Sequence, residues 1–514
     1  MVIKILLLVV FFAGMVAVGI SARRHAVSVS GFVLGGRSVG PWLTAFAYGT
    51  SYFSAVVFVG YAGQFGWKYG LASTWIGLGN AAIGSLLAWV MLGRRTRIMT
   101  QHLGSSTMPD FFEKRFDSKP LKITASVIIF IFLIPYTASI YNGLSRLFEM
   151  AFNIPYAVCV VVMAAFTAVY VILGGYMATA ISDFIQGIIM LFGIVVVVAA
   201  VLSGQGGFMN AVYELAQLPS DAAPTLGQPG AFTAFFGPDP VNLLGVVILT
   251  SLGTWGLPQM IQKFYAIRNE KAVRTGTAIS TVFAVIVSGG CYFLGGFSRL
   301  FDDPAIYGAD GAVVYDSIIP FMLSKLPDIL IGIVVVLVLS ASMSTLSSLV
   351  LTSSSTLTLD LIKGNLWKNM REESQIRTMR VLIAVFVAVS VLLAINPPDF
   401  IAQLMGISWG ALAGAFLAPF LYGIYWKRVT RAAVWASFAC GVGLTVGNLF
   451  FHFIDSAINA GAAAMVLGLV VVPVVSLITP RQPDKRLQEI FSCYEEKTVL
   501  HKKMVVGTEK DNAE

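Results

Sequence analysis

Apolar residues along this chain fall in long unbroken runs, not in the alternation expected of half-buried strands. Runs long enough to cross a bilayer, about 20 residues each, begin near Val2, Pro41, Trp75, Ile123, Tyr156, Thr179, Val241, Thr277, Ile329, Val381, Phe400, Ala433 and Ala462. Short charged or Gly- and Pro-containing loops separate them. Such runs predict membrane-spanning helices, whereas barrel strands would be shorter and would alternate polar with apolar positions. The expected fold is an all-α polytopic membrane protein with about thirteen transmembrane helices.

Two runs do not read as plain helices. The second holds Gly49, Thr50, Ser51, Ser54 and Gly60, and the seventh holds Gly253, Thr254, Gly256, Pro258 and Gln259. Gly and Pro inside a span free backbone carbonyls, which bilayer-buried chain tolerates only against protein or a water-lined cavity. The interrupted spans are five apart, which is the signature of two five-helix units of inverted topology, each opening on a broken helix. Close helix packing would also use glycine. The expected organisation is an extra helix and loop over 1–40 and a first five-helix repeat over 41–203. An external loop over 204–240 and a second repeat over 241–425 follow, then two C-terminal helices over 426–479 and a tail over 480–514.

Composition agrees with a bilayer as the solvent: 57% of the 514 residues are hydrophobic, 12% are charged, and the mean hydropathy is +0.81. Met1 to Ile20 could pass for a signal peptide, but Lys4 is its only early charge and Arg23 and Arg24 follow the apolar run, so it reads as a retained span. Cys159, Cys291, Cys440 and Cys493 are too scattered for a disulfide framework or a metal cluster.

The net charge of +8 raises the question of a nucleic-acid partner, but the basic residues alternate by loop. One set of loops carries Arg37, then Arg94, Arg95, Arg97, Lys114 and Arg115, then Lys263, Arg268, Lys271 and Arg274, then Lys363 to Arg380, then Lys427, Arg428 and Arg431. Gln205 to Pro240 has no Lys or Arg, and Phe301 to Asp328 sets Lys325 against five aspartates. The positive-inside rule makes the basic set cytoplasmic, with the N-terminus outside and the C-terminus inside. Basicity is thus a topology signal, with no nucleic-acid motif beside it.

Two groups of residues carry candidate chemistry. Asp183 lies inside a span, where a carboxylate is costly and functional by default, or else is neutralised by protonation or by a donor such as Gln186 or Ser182. In the run SASMSTLSS, helical spacing puts Ser344, Ser347 and Ser348 on one face with Thr345 beside them. They could offer oxygens to a hard cation or bond back to their own helix. Arg146 and Glu149, at i and i+3, are expected to pair. His25, His102, His452 and His501 are dispersed, and no nucleophile has an adjacent base, so no catalytic set and no cofactor is expected.

The segments GGYMATAISDFIQ, SMSTLSS, STMPDFFEKRF and NPPDFIAQLMGISWGALAGAFLAPFLYGIYWKR, in that topology, resemble the sodium:solute symporter family, in particular its proline and pantothenate branch. The likeness runs from about Gly35 to Gly441. It implies alternating access driven by sodium in a cell membrane, with a small carboxylate-bearing solute such as proline, pantothenate or another monocarboxylate. It implies a principal sodium site at the carbonyls of Thr50, Phe53 and Ala341 with the side chains of Ser344 and Thr345. A second sodium site would use Asp183, Ser344, Ser347 and Ser348. The solute would meet Tyr52, Ser54, Ala55, Thr250, Thr254, Pro258 and Trp409. Tyr52 stands where proline carriers have an aspartate, Thr250 and Thr254 where aromatics are expected, and Val56 and Val57 where sugar carriers have a glutamate-glutamine pair. A membrane sensor built on the same scaffold is the alternative; the expected partners are sodium, a small solute and the lipid bilayer, with the oligomeric state, a monomer among the options, left open by the sequence.

Overall fold

The structure, a computed structural model, describes residues 2–22, 27–396 and 401–495. Arg23, Arg24 and His25, the Pro397–Phe400 stretch that opens the eleventh expected span, and the tail from 496 on with His501 lie outside the described residues.

Helices make up nearly all of the described chain, and the only extended pairings among the described residues are isolated bridges such as Val39 with Ile267. Among the described residues, eleven helices are long and apolar enough to cross a membrane. Two of them, Val56–His102 and Tyr156–Gly204, have 47 and 49 residues. At 1.5 Å per residue each would be about 70 Å long, more than twice the hydrocarbon thickness of about 30 Å. Both are interrupted by a glycine in a conformation other residues rarely adopt. Gly70 has φ 58° and ψ −139°, and Gly175 has φ 56° and ψ −151°. A Cβ on Gly70 would stand 2.2 Å from the Phe232 carbonyl oxygen, and one on Gly175 would stand 2.9 Å from Phe32. These glycines turn the chain just before Trp75 and Thr179, near which the third and sixth apolar runs begin.

The outer helices turn large apolar side chains outward, among them Val10, Phe192, Val241, Leu392 and Ile478, as a surface facing lipid requires. The helix Asp328–Thr356 and the helix Ile401–Tyr425 are instead enclosed along almost their whole length. Asp328–Thr356 carries the hydroxyl run, so its polar groups meet protein on every side. The expected loops are partly ordered: Phe208–Gln217 and Tyr315–Ser324 are short helices, and the tail holds a helix over 484–495. That tail helix packs under the bundle, with Phe491 against the buried Arg115 guanidinium.

Candidate functional site

The first interrupted span breaks at Phe53. The helix Pro41–Tyr52 ends because Phe53 is extended, with φ −106° and ψ 97°, and helix resumes after Ala55. The last carbonyls of a helix lack intrahelical donors, and in an apolar bundle something else must serve them. The Thr50 carbonyl is served by two hydroxyls of the enclosed helix, accepting from Ser344 at 3.0 Å and Thr345 at 3.1 Å. The same hydroxyls reach back to the Ala341 carbonyl at 3.0 and 3.2 Å. Two protons are shared among two carbonyls, and all four oxygens converge on one buried point. A hard cation there would be met by oxygen alone.

One helical turn further, the hydroxyls meet something else. Ser348 lies 2.8 Å from Ser51 and accepts a hydrogen bond from Lys263 Nζ at 2.9 Å. Ser347 instead bonds back to the Ser344 carbonyl at 2.8 Å. Lys263 Nζ also stands 3.8 Å from the Asp183 carboxylate and 5.3 Å from the centre of the Tyr176 ring. Asp183 and Lys263 are both buried. The partner of Asp183 is therefore Lys263 and neither Gln186, which donates to the sulfur of Met15, nor Ser182. Lys263 corrects the charge reading as well. It belongs to the half-helix Pro258–Ala266 inside the bundle, not to the loop with Arg268. Proline at the first helical position announces that half-helix, and counting five residues on from Pro258 would have placed Lys263 within the span.

The second break spans Thr254 to Leu257, between the helices Pro240–Gly253 and Pro258–Ala266. It faces the first across aromatic rings. Tyr52 donates to the Thr250 carbonyl at 2.5 Å, stacks on Phe53 at 4.2 Å and lies 6.0 Å from Trp409. Tyr136 meets Trp409 in an edge-to-face contact at 5.8 Å. Gly253 lets the indole approach, since a Cβ there would sit 2.3 Å from the ring, and Gly84 does the same for the Tyr52 hydroxyl. Thr254 donates to the Gly84 carbonyl at 3.0 Å, while the Thr250 hydroxyl bonds back to Val246. Of the sequence-derived solute set, Tyr52, Thr250, Thr254 and Trp409 thus come together. Ser54 caps the resumed helix through the Val56 amide, Ala55 packs on Gly143, and Pro258 lines a narrow gap with Thr107, Thr352 and Ser355. Gln259 and Tyr136 were not in that set. Neither amide atom of Gln259 has a hydrogen-bond partner among the described residues, and it stands at the second break.

A cavity of about 560 Å³ borders the loop without basic residues, lined by Trp67, Tyr69, Asp239, Arg299 and Gln403 among others. Arg299 is fixed there by Asp221 at 2.6 Å and lies over the Trp67 ring at 4.3 Å. At the other end of the bundle, Lys122 gathers Glu113 at 2.8 Å, Asp110 at 3.0 Å and Asp360 at 3.5 Å, and Thr107 donates to Asp360 at 2.6 Å. The expected Arg146–Glu149 pair is present at 3.5 Å on a half-exposed surface.

The profile of the sodium:solute symporter family matches residues 32–441. The osmoregulated proline transporter OpuE of Bacillus subtilis is 28% identical over 496 residues, covering 95% of this chain and 96% of its own length. The sodium/proline symporter of Salmonella typhimurium is 27% identical, covering 94% of each chain. Among solved structures, the substrate-bound outward-open state of a Na+-coupled sialic acid symporter superposes with a TM-score of 0.73 at 16% identity, covering 93% of this chain and 98% of the other.

Proposed function

Since this chain belongs to the sodium:solute symporter family and is a multi-pass membrane protein that couples solute uptake to sodium, we propose that its solute is a small molecule bearing a carboxylate and that the coupling ion sits at the first helix break. The observation that carries the ion site is the convergence of Ser344 and Thr345 on the Thr50 carbonyl from a helix almost 300 positions away. Thr50, Phe53 and Ala341 would supply carbonyls, and Ser344 and Thr345 hydroxyls. Charge supports the solute class. Asp183 and Lys263 offset each other, so a sodium ion at the break leaves one uncompensated positive charge in the core, which a carboxylate on the solute would balance. The relatives named above transport proline, which makes proline the first solute to test. Tyr52, Thr250, Thr254 and Trp409, with Ser54, Ala55 and Pro258 at the rims, would line its chamber, and Gln259 offers it an unused amide. The cavity beside Arg299 is the approach to that chamber from outside.

Cutting the two long helices at Gly70 and Gly175 and joining the halves at each break yields thirteen crossings. That count fits repeats over 41–203 and 241–425, flanked by the helix before residue 41, the loop over 204–240, two helices over 426–479 and the tail from 480. It also fits an external N-terminus, a cytoplasmic C-terminus and residence in the cell membrane. Asp183, Ser344, Ser347 and Ser348 would offer a second group of oxygens to a cation. The test is uptake of radiolabelled proline, pantothenate and lactate into proteoliposomes under a sodium gradient, against the same vesicles in potassium. Sodium-dependent uptake of one of these is expected. Uptake of a sugar or an amine with none of the three would overturn the solute class.

A further inference from the structure

The group around Asp183 has the oxygens for a cation, and it already contains one that belongs to the chain. Lys263 Nζ donates to Ser348, faces the Asp183 carboxylate at 3.8 Å and lies against the Tyr176 ring. Neither carboxylate oxygen has a hydrogen-bond donor among the described residues, so the pair is held by charge and by the Ser348 anchor. Ser51 completes the anchor, because its hydroxyl bridges Ser348 to the residue next to Thr50.

We propose that Lys263 is a tethered cation occupying the position of a second sodium ion at Asp183, so that the chain binds a single sodium, and that removing its charge creates a second sodium site from Asp183, Ser344, Ser347 and Ser348. The inference rests on the assignment of the principal ion to the first break. Its physical reason is repulsion. A sodium ion in contact with Asp183 would lie beside the ammonium in a buried setting, where like charges are poorly screened. A buried carboxylate also needs one positive partner, and the lysine supplies it without a desolvated free ion. The Ser348 hydroxyl, whose oxygen would serve an ion, accepts from Lys263 instead. Coupling at this site is thus fixed by sequence and not by the sodium concentration. Because Ser51 adjoins Thr50, the tethered cation is also wired to the principal site through two hydrogen bonds, Lys263 to Ser348 and Ser348 to Ser51, and one peptide unit.

The test needs no knowledge of the solute. Equilibrium binding of radiolabelled sodium to the purified full chain in detergent is measured for the parent, Lys263→Gln, Lys263→Arg, the double variant Lys263→Gln/Asp183→Asn, and Thr345→Ala. The parent and Lys263→Arg should bind one ion, Lys263→Gln two, and the double variant one again. Two ions in the parent would overturn the proposal, and so would one ion in Lys263→Gln. The ion that Lys263→Gln retains at the principal site reports its folding, and a Lys263→Gln protein that bound none would leave the parent and Lys263→Arg counts to decide. Thr345→Ala separates the two readings: undiminished sodium affinity there removes the principal-site assignment, whereas the Lys263 series judges only the tethered cation.

Discussion

Two successive turns of one serine-rich helix do opposite things with the same side chains. Ser344 and Thr345 turn to carbonyls freed by a broken helix, and the cluster they form contains oxygen and no protein cation among the described residues. Ser348, a single turn later, turns to Lys263 and through it to Asp183. A hydroxyl run therefore does not declare an ion site by itself. What faces it decides: freed carbonyls leave room for a mobile cation, and a lysine on the facing half-helix supplies a fixed one. A broken helix faces each of the two turns, the first providing acceptors and the second providing charge.

The sharpest way to break this contrast is to strand the fixed charge. Asp183→Asn leaves the Lys263 ammonium buried without its counter-charge, a change that commonly costs about 3–5 kcal/mol. Removing both charges with Asp183→Asn/Lys263→Met should return most of that loss, since a buried pair adds little over an apolar replacement. Thermal unfolding of the detergent-solubilised protein would read both. An Asp183→Asn protein as stable as the parent would show that the pair is not held as charges.

One turn earlier, Ser344→Ala and Thr345→Ala each remove an oxygen from the proposed ion site. Contacts to a charged group are worth about 1.5–3 kcal/mol, so the sodium concentration giving half-maximal uptake should rise at least about tenfold in each. Unchanged sodium dependence in both variants would move the ion elsewhere. Tyr52→Phe should have a smaller effect and act on the solute. It loses the bond to the Thr250 carbonyl that joins the two breaks, a neutral contact worth about 1 kcal/mol. Half-saturation for solute should rise about fivefold, with less effect on sodium. The reverse order would put Tyr52 with the ion.

The two breaks and the enclosed hydroxyl helix were legible because Gly, Pro and clustered Ser/Thr in an apolar run have few other uses. Arg146 and Glu149 were legible from spacing alone. The pairing of Asp183 was not. A lysine followed by Arg268, Lys271 and Arg274 reads as the first residue of a cytoplasmic loop unless the half-helix opened by Pro258 is counted through it, and the fold shows that this half-helix carries it into the bundle. Nor could the sequence show which hydroxyls look outward and which bond back, because Ser347 and Ser348 are neighbours yet serve different partners. That choice depends on the rotation of one helix against two broken ones. The turns at Gly70 and Gly175 were legible in place, because new apolar runs begin near Trp75 and Thr179, but not in their backbone geometry, since a positive φ has no hydropathy.

The smallest expected effect concerns a charged cluster outside the bundle core, and it sharpens the contrast between a pair sealed from water and one near it. Asp110 begins the helix Met108–Phe116, where Thr107 caps its amide at 3.2 Å. Burial would raise its carboxyl, but Lys122 and Lys114, each a charged neighbour and a donor, outweigh burial and hold it below its ordinary value. A carboxyl lowered in the folded state stabilises the fold above its unfolded value, near pH 3.9, and loses that contribution as pH falls through the lower folded value. Asp110→Asn should therefore be less stable than the parent by about 1 kcal/mol at neutral pH. The gap should stay constant down to about pH 5 and close only in stronger acid. Unfolding of parent and variant across that range would show it. A gap that closed already between about pH 5 and 6 would mean that the carboxyl is raised, and that the lysines around it do not compensate for its burial.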